Sequence, residues 1–399
     1  MSFRRATTIA LILGSTACAP AISRGASIPP EMAPHTPARV NALHDSLQQI
    51  LDVARADSAF PGAVAVVGNS RGVLTTVTTG TLDWRYSGPV TDESIWDLAS
   101  LTKVVAMTSA MMQLVDSGLI SLDAPVRQYL PEWTGEGSEF VTVRHLLTHS
   151  SGLPSWRPLY KETTHRNAAL ELVLATAPDT MPGARMVYSD LGAILLGMLV
   201  ERVSGEPLDS YVYGHVFRPL GMDRTFYKPD PSLLAEIAPT EFDPWRQQQV
   251  RGEVHDENAF RLGGVSGHAG LFSTADDLAV LAQLYLSGGE LNGTRLFSER
   301  VIETFTAPQN PVLGNRALGW EKPNGRNSAG SLLSERAFGH TGFTGTSIWI
   351  DPARDFFVIL LTNRVNPTRE NGKVGPVRRA VADAAIIALF GAQGQGATE

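Results

Sequence analysis

Cysteine is nearly absent from this chain of 399 residues: Cys18 is the only one. That excludes a disulfide framework and any metal site built on thiolates. Lysine is almost as scarce, with five residues at positions 103, 161, 228, 322 and 373. The 33 Lys and Arg residues against 40 Asp and Glu leave a net charge of −7 with no basic block, so nucleic acid is not implied as a partner. The apolar run Leu191–Val200 covers only ten residues and ends at Glu201-Arg202, which suits a core helix and not a membrane span. No His-Glu-x-x-His occurs, and the glycine-dense stretch Gly263–Gly270 lacks the Gly-Lys-Ser/Thr of a phosphate loop. His145 and His149 stand four apart without an evident third ligand, and His255-Asp256-Glu257-Asn258 reads better as polar cleft wall than as a ligand set. Neither a metal nor a cofactor is therefore expected. What remains is 43% apolar and 18% charged, the balance of a globular core.

The N-terminus carries a targeting pattern. Arg4 and Arg5 precede the short apolar stretch Ile9–Leu13 and the small residues Gly14 to Ala17. Ser15-Thr16-Ala17-Cys18 resembles a bacterial lipobox, with Ser15 where a leucine-like residue usually stands. Residues 1–18 are thus expected to be a signal peptide with a lipobox, Cys18 being the lipidated residue that anchors the protein to a membrane. Plain secretion with cleavage near Ala19 or Ala21 is the alternative. Residues 19–38, rich in Pro, Ala and Ser, read as a flexible linker. The folded domain is placed at 39–399.

Within it, Val40, Leu43, Leu47, Ile50, Leu51 and Ala54 recur at helical spacing. The β-branched runs 63–67 and 73–77 flank Gly68-Asn69-Ser70-Arg71-Gly72, a hairpin turn. That turn also matches Gly-x-Ser-x-Gly, but a nucleophile elbow needs a helix after the serine, and here a strand follows. Residues 227–262, rich in Pro and Gln, look like a long surface excursion. Near the C-terminus, runs 347–350 and 356–362 are joined by Asp351–Asp355 as a second hairpin, and 377–390 is a final amphipathic helix. The expected fold is α/β of the α+β kind. One central antiparallel sheet is drawn from both termini and flanked by helices, with an inserted, mostly helical region at about 118–300.

The chemistry concentrates at Asp97-Leu98-Ala99-Ser100-Leu101-Thr102-Lys103. A serine and a lysine three apart share one face of a helix. Ser100 would sit near the N-terminus of a helix running to about residue 117, where the macrodipole favours a developing alkoxide. Lys103, held partly neutral by burial, could take the hydroxyl proton. Of the five lysines, only Lys103 has a serine three residues earlier. The competing reading is a capping serine with a solvated lysine.

Two later stretches complete an ordered set: Ser100-x-x-Lys103, Tyr188-Ser189-Asp190 and His340-Thr341-Gly342. The set resembles the serine β-lactamase and penicillin-binding protein superfamily. The nearest branch holds class C β-lactamases, DD-carboxypeptidases, D-aminopeptidases, muramyl-peptide amidases and related esterases. Supporting stretches are 145–153, Pro219-Leu220-Gly221-Met222 and 267–273, and the likeness covers roughly residues 40–390. The resemblance implies a β-lactamase-like fold and an exported serine hydrolase working through a covalent acyl-enzyme. Ser100 would be the nucleophile, with Lys103 and Tyr188 as the base system, the phenol pKa falling beside the ammonium. Backbone N–H groups of Ser100 and Phe343 would form the oxyanion hole. Asp190, His340, Thr341 and Gly342 would bind substrate. His340 stands where penicillin-recognising members carry lysine, and Asp190 where asparagine is common. The implied substrate is a small molecule or peptidoglycan fragment, cleaved at an amide or peptide bond in the periplasm or at the membrane of a bacterium. The alternatives are an esterase or β-lactamase with the same machinery, or a silent protein that binds muropeptides or β-lactams.

Overall fold

The structure, a computed structural model, describes residues 35–391. The signal peptide and lipobox assigned to 1–18, Cys18 included, lie outside the described residues. Helix α1 (Pro37–Ala56) begins with Pro37 in its first turn, capped by the Thr36 hydroxyl, which accepts from Arg39 N–H. Its buried face is Leu43, Leu47, Leu51 and Ala54. The chain then forms the hairpin β1 (Gly62–Asn69) and β2 (Gly72–Gly80). Its turn is structural: Ser70 N–H and Oγ–H both donate to the Asp355 carboxylate, at 2.8 and 2.9 Å.

The middle of the chain is mainly helical. It contributes α2 (Thr108–Asp116), α3 (Asp190–Ser204) and α4 (Ala275–Leu286). Then β3 (Phe338–Thr341), β4 (Ser347–Asp351) and β5 (Phe356–Thr362) return to the sheet, and α5 (Val374–Phe390) closes the fold. The five strands run β3-β4-β5-β1-β2, every neighbouring pair antiparallel, so one sheet is drawn from both ends of the chain.

Strand alternation divides the core. Ala63, Ala65 and Val67 face α1 and α5, with Leu43, Leu47, Trp349, Val358 and Ile386. Val64 and Val66 point the other way, into the larger core with Ile348, Ile359, Leu196 and Leu278. β1 is buried along its whole length because both sheet faces are covered by helices.

Two expectations are corrected. Residues 98–117 are not one regular helix. A 3₁₀ turn at Ala99–Leu101 passes into a π-turn at Lys103–Met107 and only then into α2. The cause is local tethering. Leu98 N–H donates to Leu271 O (2.9 Å), and the Thr102 hydroxyl accepts from Leu271 N–H (3.1 Å), so the first turn follows a neighbouring strand and not an α-helical path. Residues 227–262 are only in part a surface excursion: 228–236 and 244–249 are exposed or half-buried, but most of the rest turns inward. Ile237, Asp243, Val250, Val254 and His255 are all buried there. Their polarity misled because it is satisfied internally: Arg246 pairs with Asp243 and donates to the carbonyls of Val254 and His255.

Candidate active site

Three elements converge on Ser100. The first is the 3₁₀ turn that carries it. Ala99 sits at φ 46°, a left-handed conformation costing about 1–3 kcal/mol for a residue with a Cβ. Asp97 holds that turn, accepting from Ala99 N–H at 2.8 Å on Oδ1 and from His255 N–H at 2.6 Å on Oδ2. Asp97 is fully buried, and burial raises its pKa.

The second element is the N-terminus of α3. Ser189 caps it, accepting from Gly192 N–H (3.2 Å), and places Asp190 in the first turn, where the helix dipole favours a carboxylate. Asp190 Oδ1 lies 2.8 Å from Lys103 Nζ. Lys103, 1% exposed, also donates to Ser100 Oγ at 3.1 Å and to His268 O at 3.0 Å. The glycine-dense loop makes that last contact reachable. A Cβ on Gly267 would lie 2.2 Å from Ala193 O, so only glycine lets this loop press against α3. His268 is itself fixed, Nε2 to Asp256 Oδ1 (2.9 Å) and Nδ1 to Ser266 Oγ (2.7 Å).

The third element is the end of β3. His340, Thr341, Gly342 and Phe343 line a cavity of about 460 Å³ together with Ser100, Tyr188, Glu321, Arg364 and Arg378. Gly342 has to be glycine: a Cβ there would stand 2.3 Å from Leu98 O and 2.1 Å from Thr346 Oγ1. Thr344 and Thr346 hydroxyls donate to Asp97 O (2.7 Å) and Leu98 O (3.0 Å), stitching this strand end to the serine turn.

The electrostatics correct two further expectations. Lys103 is not held partly neutral. Burial alone would lower its pKa, but the adjacent Asp190 carboxylate, then Tyr188, carry it well above the ordinary lysine range. Nor does the Tyr188 phenol fall: burial raises it, and the pull of the Lys103 ammonium does not offset that. The ammonium lies 4.9 Å from the centre of the Tyr188 ring, and among the described residues the Tyr188 hydroxyl has no hydrogen bond of good geometry. At rest, then, the site holds an ammonium–carboxylate pair beside a protonated phenol. His340 is pushed down to about 4 by burial, against the opposing pull of Glu321, so its ring is neutral.

The histidines flagged as possible ligands have structural work. His145 accepts from Thr142 N–H (3.2 Å) in a helix cap. His149 accepts from Ser189 N–H (3.1 Å) and packs on Tyr188 with ring centres 4.5 Å apart. Asp256 caps a short helix, Glu257 pairs with Arg369 and His255 with Glu241. Among the described residues no group of three or more His, Cys, Asp or Glu could hold a metal ion. Sequence reasoning missed Arg316, Glu321, Arg364 and Arg378, single charged residues with no motif around them. Arg316 is nearly buried, 5.6 Å from the centre of the Tyr188 ring.

A two-ended antiparallel sheet, with Ser100 on the wall of one cavity and the buried Lys103 hydrogen-bonded to it from behind, is the arrangement of a hydrolase of the β-lactamase and penicillin-binding type. A penicillin-binding protein homologue from Caulobacter crescentus superposes with a TM-score of 0.72 at 21% identity, covering 89% of this chain and 99% of that one. The chain belongs to the Beta-lactamase family, whose profile matches residues 47–383. It is 35% identical over 348 residues to an N-acetylmuramyl-L-alanine amidase of Bacillus subtilis, covering 77% of this chain and 78% of the relative. It is also 35% identical over 311 residues to a putative D-alanyl-D-alanine carboxypeptidase of Escherichia coli, at 69% and 70% coverage.

Proposed function

We propose that this protein is an exported serine hydrolase that cleaves amide or peptide bonds in peptidoglycan-derived substrates through an acyl-enzyme on Ser100. The observation that carries the reading is the 3.1 Å contact between Ser100 Oγ and a buried Lys103 at the wall of the cavity. The names of the two relatives support the substrate class.

In this reading Ser100 Oγ attacks the carbonyl carbon as its proton enters the Tyr188–Lys103 pair. The new carbon–oxygen bond forms, the carbon–nitrogen bond breaks, and the amine leaves with that proton. Water then cleaves the ester, returning the proton to Ser100. Backbone N–H groups of Ser100 and Phe343 stabilise the oxyanion, each such donor lowering the barrier by about 3 kcal/mol. Lys103 accepts a proton only after losing its own, so acylation rises with pH. Lipid anchoring through Cys18 belongs to the same proposal. A second reading, a small-ester hydrolase, is favoured by the neutral His340, which offers no fixed positive charge to a substrate carboxylate.

The test is trapping. A fluorophosphonate should add one label at Ser100, read by intact-protein and peptide mass spectrometry, and Ser100→Ala should take none. Muramyl-L-alanine, D-Ala-D-Ala peptides and p-nitrophenyl esters are then assayed side by side. Turnover of the esters alone would exclude the amide reading, and labelling of another residue, such as Ser70, would exclude the nucleophile.

A further inference from the structure

One corner of the cavity is built of acceptors. His340 is 1% exposed and lines the cavity. Its Nδ1 lies 2.8 Å from Thr341 O, and a carbonyl can only accept, so Nδ1 carries the proton. In the neutral ring Nε2 is then a bare lone pair, buried and without a hydrogen-bond partner among the described residues. Glu321 lines the same cavity with its side chain 23% exposed. It is set beside His340 by pairing with Gly339, Glu321 N–H to Gly339 O at 2.8 Å and Gly339 N–H to Glu321 O at 3.0 Å. The Glu321 carboxylate meets Arg316 Nη1 at 3.4 Å and makes no other ion pair among the described residues.

The two arginines that line the cavity, Arg364 and Arg378, lie on its other side. Arg364 donates to Phe343 O, Arg369 O and Asn371 O, and Arg378 to Gly342 O and Thr346 O, all beyond the end of β3. The lining is therefore dipolar, with two guanidinium groups on the 342–343 side and, on the 339–340 side, an imidazole lone pair and a carboxylate that Arg316 engages from behind through a single 3.4 Å contact. A substrate carboxylate placed against Glu321 and Nε2 would meet like charge and a lone pair. A group with several N–H donors and a positive charge satisfies both.

We infer that the Glu321–His340 corner binds a primary ammonium of the substrate, so that the protein acts on amides or peptides carrying a free amine near the acyl group transferred. The inference rests on the reading of this cavity as the catalytic site and adds the substrate class to it. The amine can be an unblocked N-terminus or the side chain of a diamino acid.

The experiment measures binding to Ser100→Ala by calorimetry, so it does not depend on acylation, and failure of trapping at Ser100 is a separate outcome. Two pairs of short peptides are compared: D-alanyl-D-alanine with its N-acetyl form, and an N-acetylated lysyl-D-alanyl-D-alanine with its Nε-acetyl form. In at least one pair the free amine should bind ten-fold or more tightly, and which pair responds identifies the source. In Ser100→Ala/Glu321→Gln that advantage should fall to about two-fold or less. Ser100→Ala/His340→Lys, which places a cation in the corner, should reverse the preference while keeping the overall structure. Equal or tighter binding of both acetylated forms, an advantage that survives Glu321→Gln, or binding of none of the four peptides would overturn the inference.

Discussion

Replacing Asp190 by asparagine keeps the shape at the head of α3 and removes the charge 2.8 Å from Lys103. At that distance and an effective dielectric of 20, the lost attraction is about 6 kcal/mol. This is an upper bound, because Asp190 is 20% exposed and the asparagine carbonyl still accepts a hydrogen bond. Burial is already the largest single influence on Lys103, and with the carboxylate gone its main opponent is removed, so the pKa falls. More of the amine is then neutral at a given pH. The rate of Ser100 phosphonylation by a fluorophosphonate, followed from pH 5 to 10, should therefore have its acidic limb displaced downward in Asp190→Asn. The displacement should be about one to three pH units, since each unit corresponds to about 1.36 kcal/mol.

Stability should move with it. A lysine whose folded pKa is raised stabilises the fold fully below its unfolded pKa of about 10.4, and that contribution is lost only as pH climbs through the folded value. Wild-type protein at pH 7 carries all of it. The variant should be about 3–5 kcal/mol less stable in urea at pH 7, the usual cost of stripping one partner from a buried pair. The difference should narrow toward alkaline pH as the amine neutralises. Superimposable pH–rate profiles, or a displacement to higher pH, would refute the view that Asp190 sets the charge on Lys103.

Gly342→Ala should drive a methyl group into Leu98 O and Thr346 Oγ1 and part the strand end from the serine turn. Labelling at Ser100 should slow at least ten-fold, with a stability loss of about 1–3 kcal/mol by thermal melting. Prolonged EDTA treatment should leave Ser100 labelling unchanged, and a loss restored by zinc would revive the metal reading.

The sheet was readable because its strands obey local rules. The β-branched alternation around Val64 and Val66 and the two tight turns report a pleated surface buried on both faces. Ser100 and Lys103 were readable because one turn of helix relates them. Their protonation was not, since it depends on Asp190, 87 positions away in sequence, and on how far burial competes with that charge. The segment 227–262 misled for a related reason. Composition records that Asp243 and Arg246 are charged, but not that they cancel inside the protein. Glu321, Arg316, Arg364 and Arg378 had no signal at all, because each is a lone residue whose role arises only in the fold, Arg316 and Glu321 beside Gly339 of β3, Arg364 and Arg378 on the carbonyls that follow it.

Strand β1 finds one partner in β2, three residues downstream, and the other in β5, almost three hundred residues later. A nascent chain must therefore wait until residues 356–362 are synthesised before that second edge is covered. Until then an apolar strand lies open to pairing with other chains, and a polypeptide released early would be both inactive and prone to clump. The arrangement ties the birth of activity to the arrival of residues 356–362.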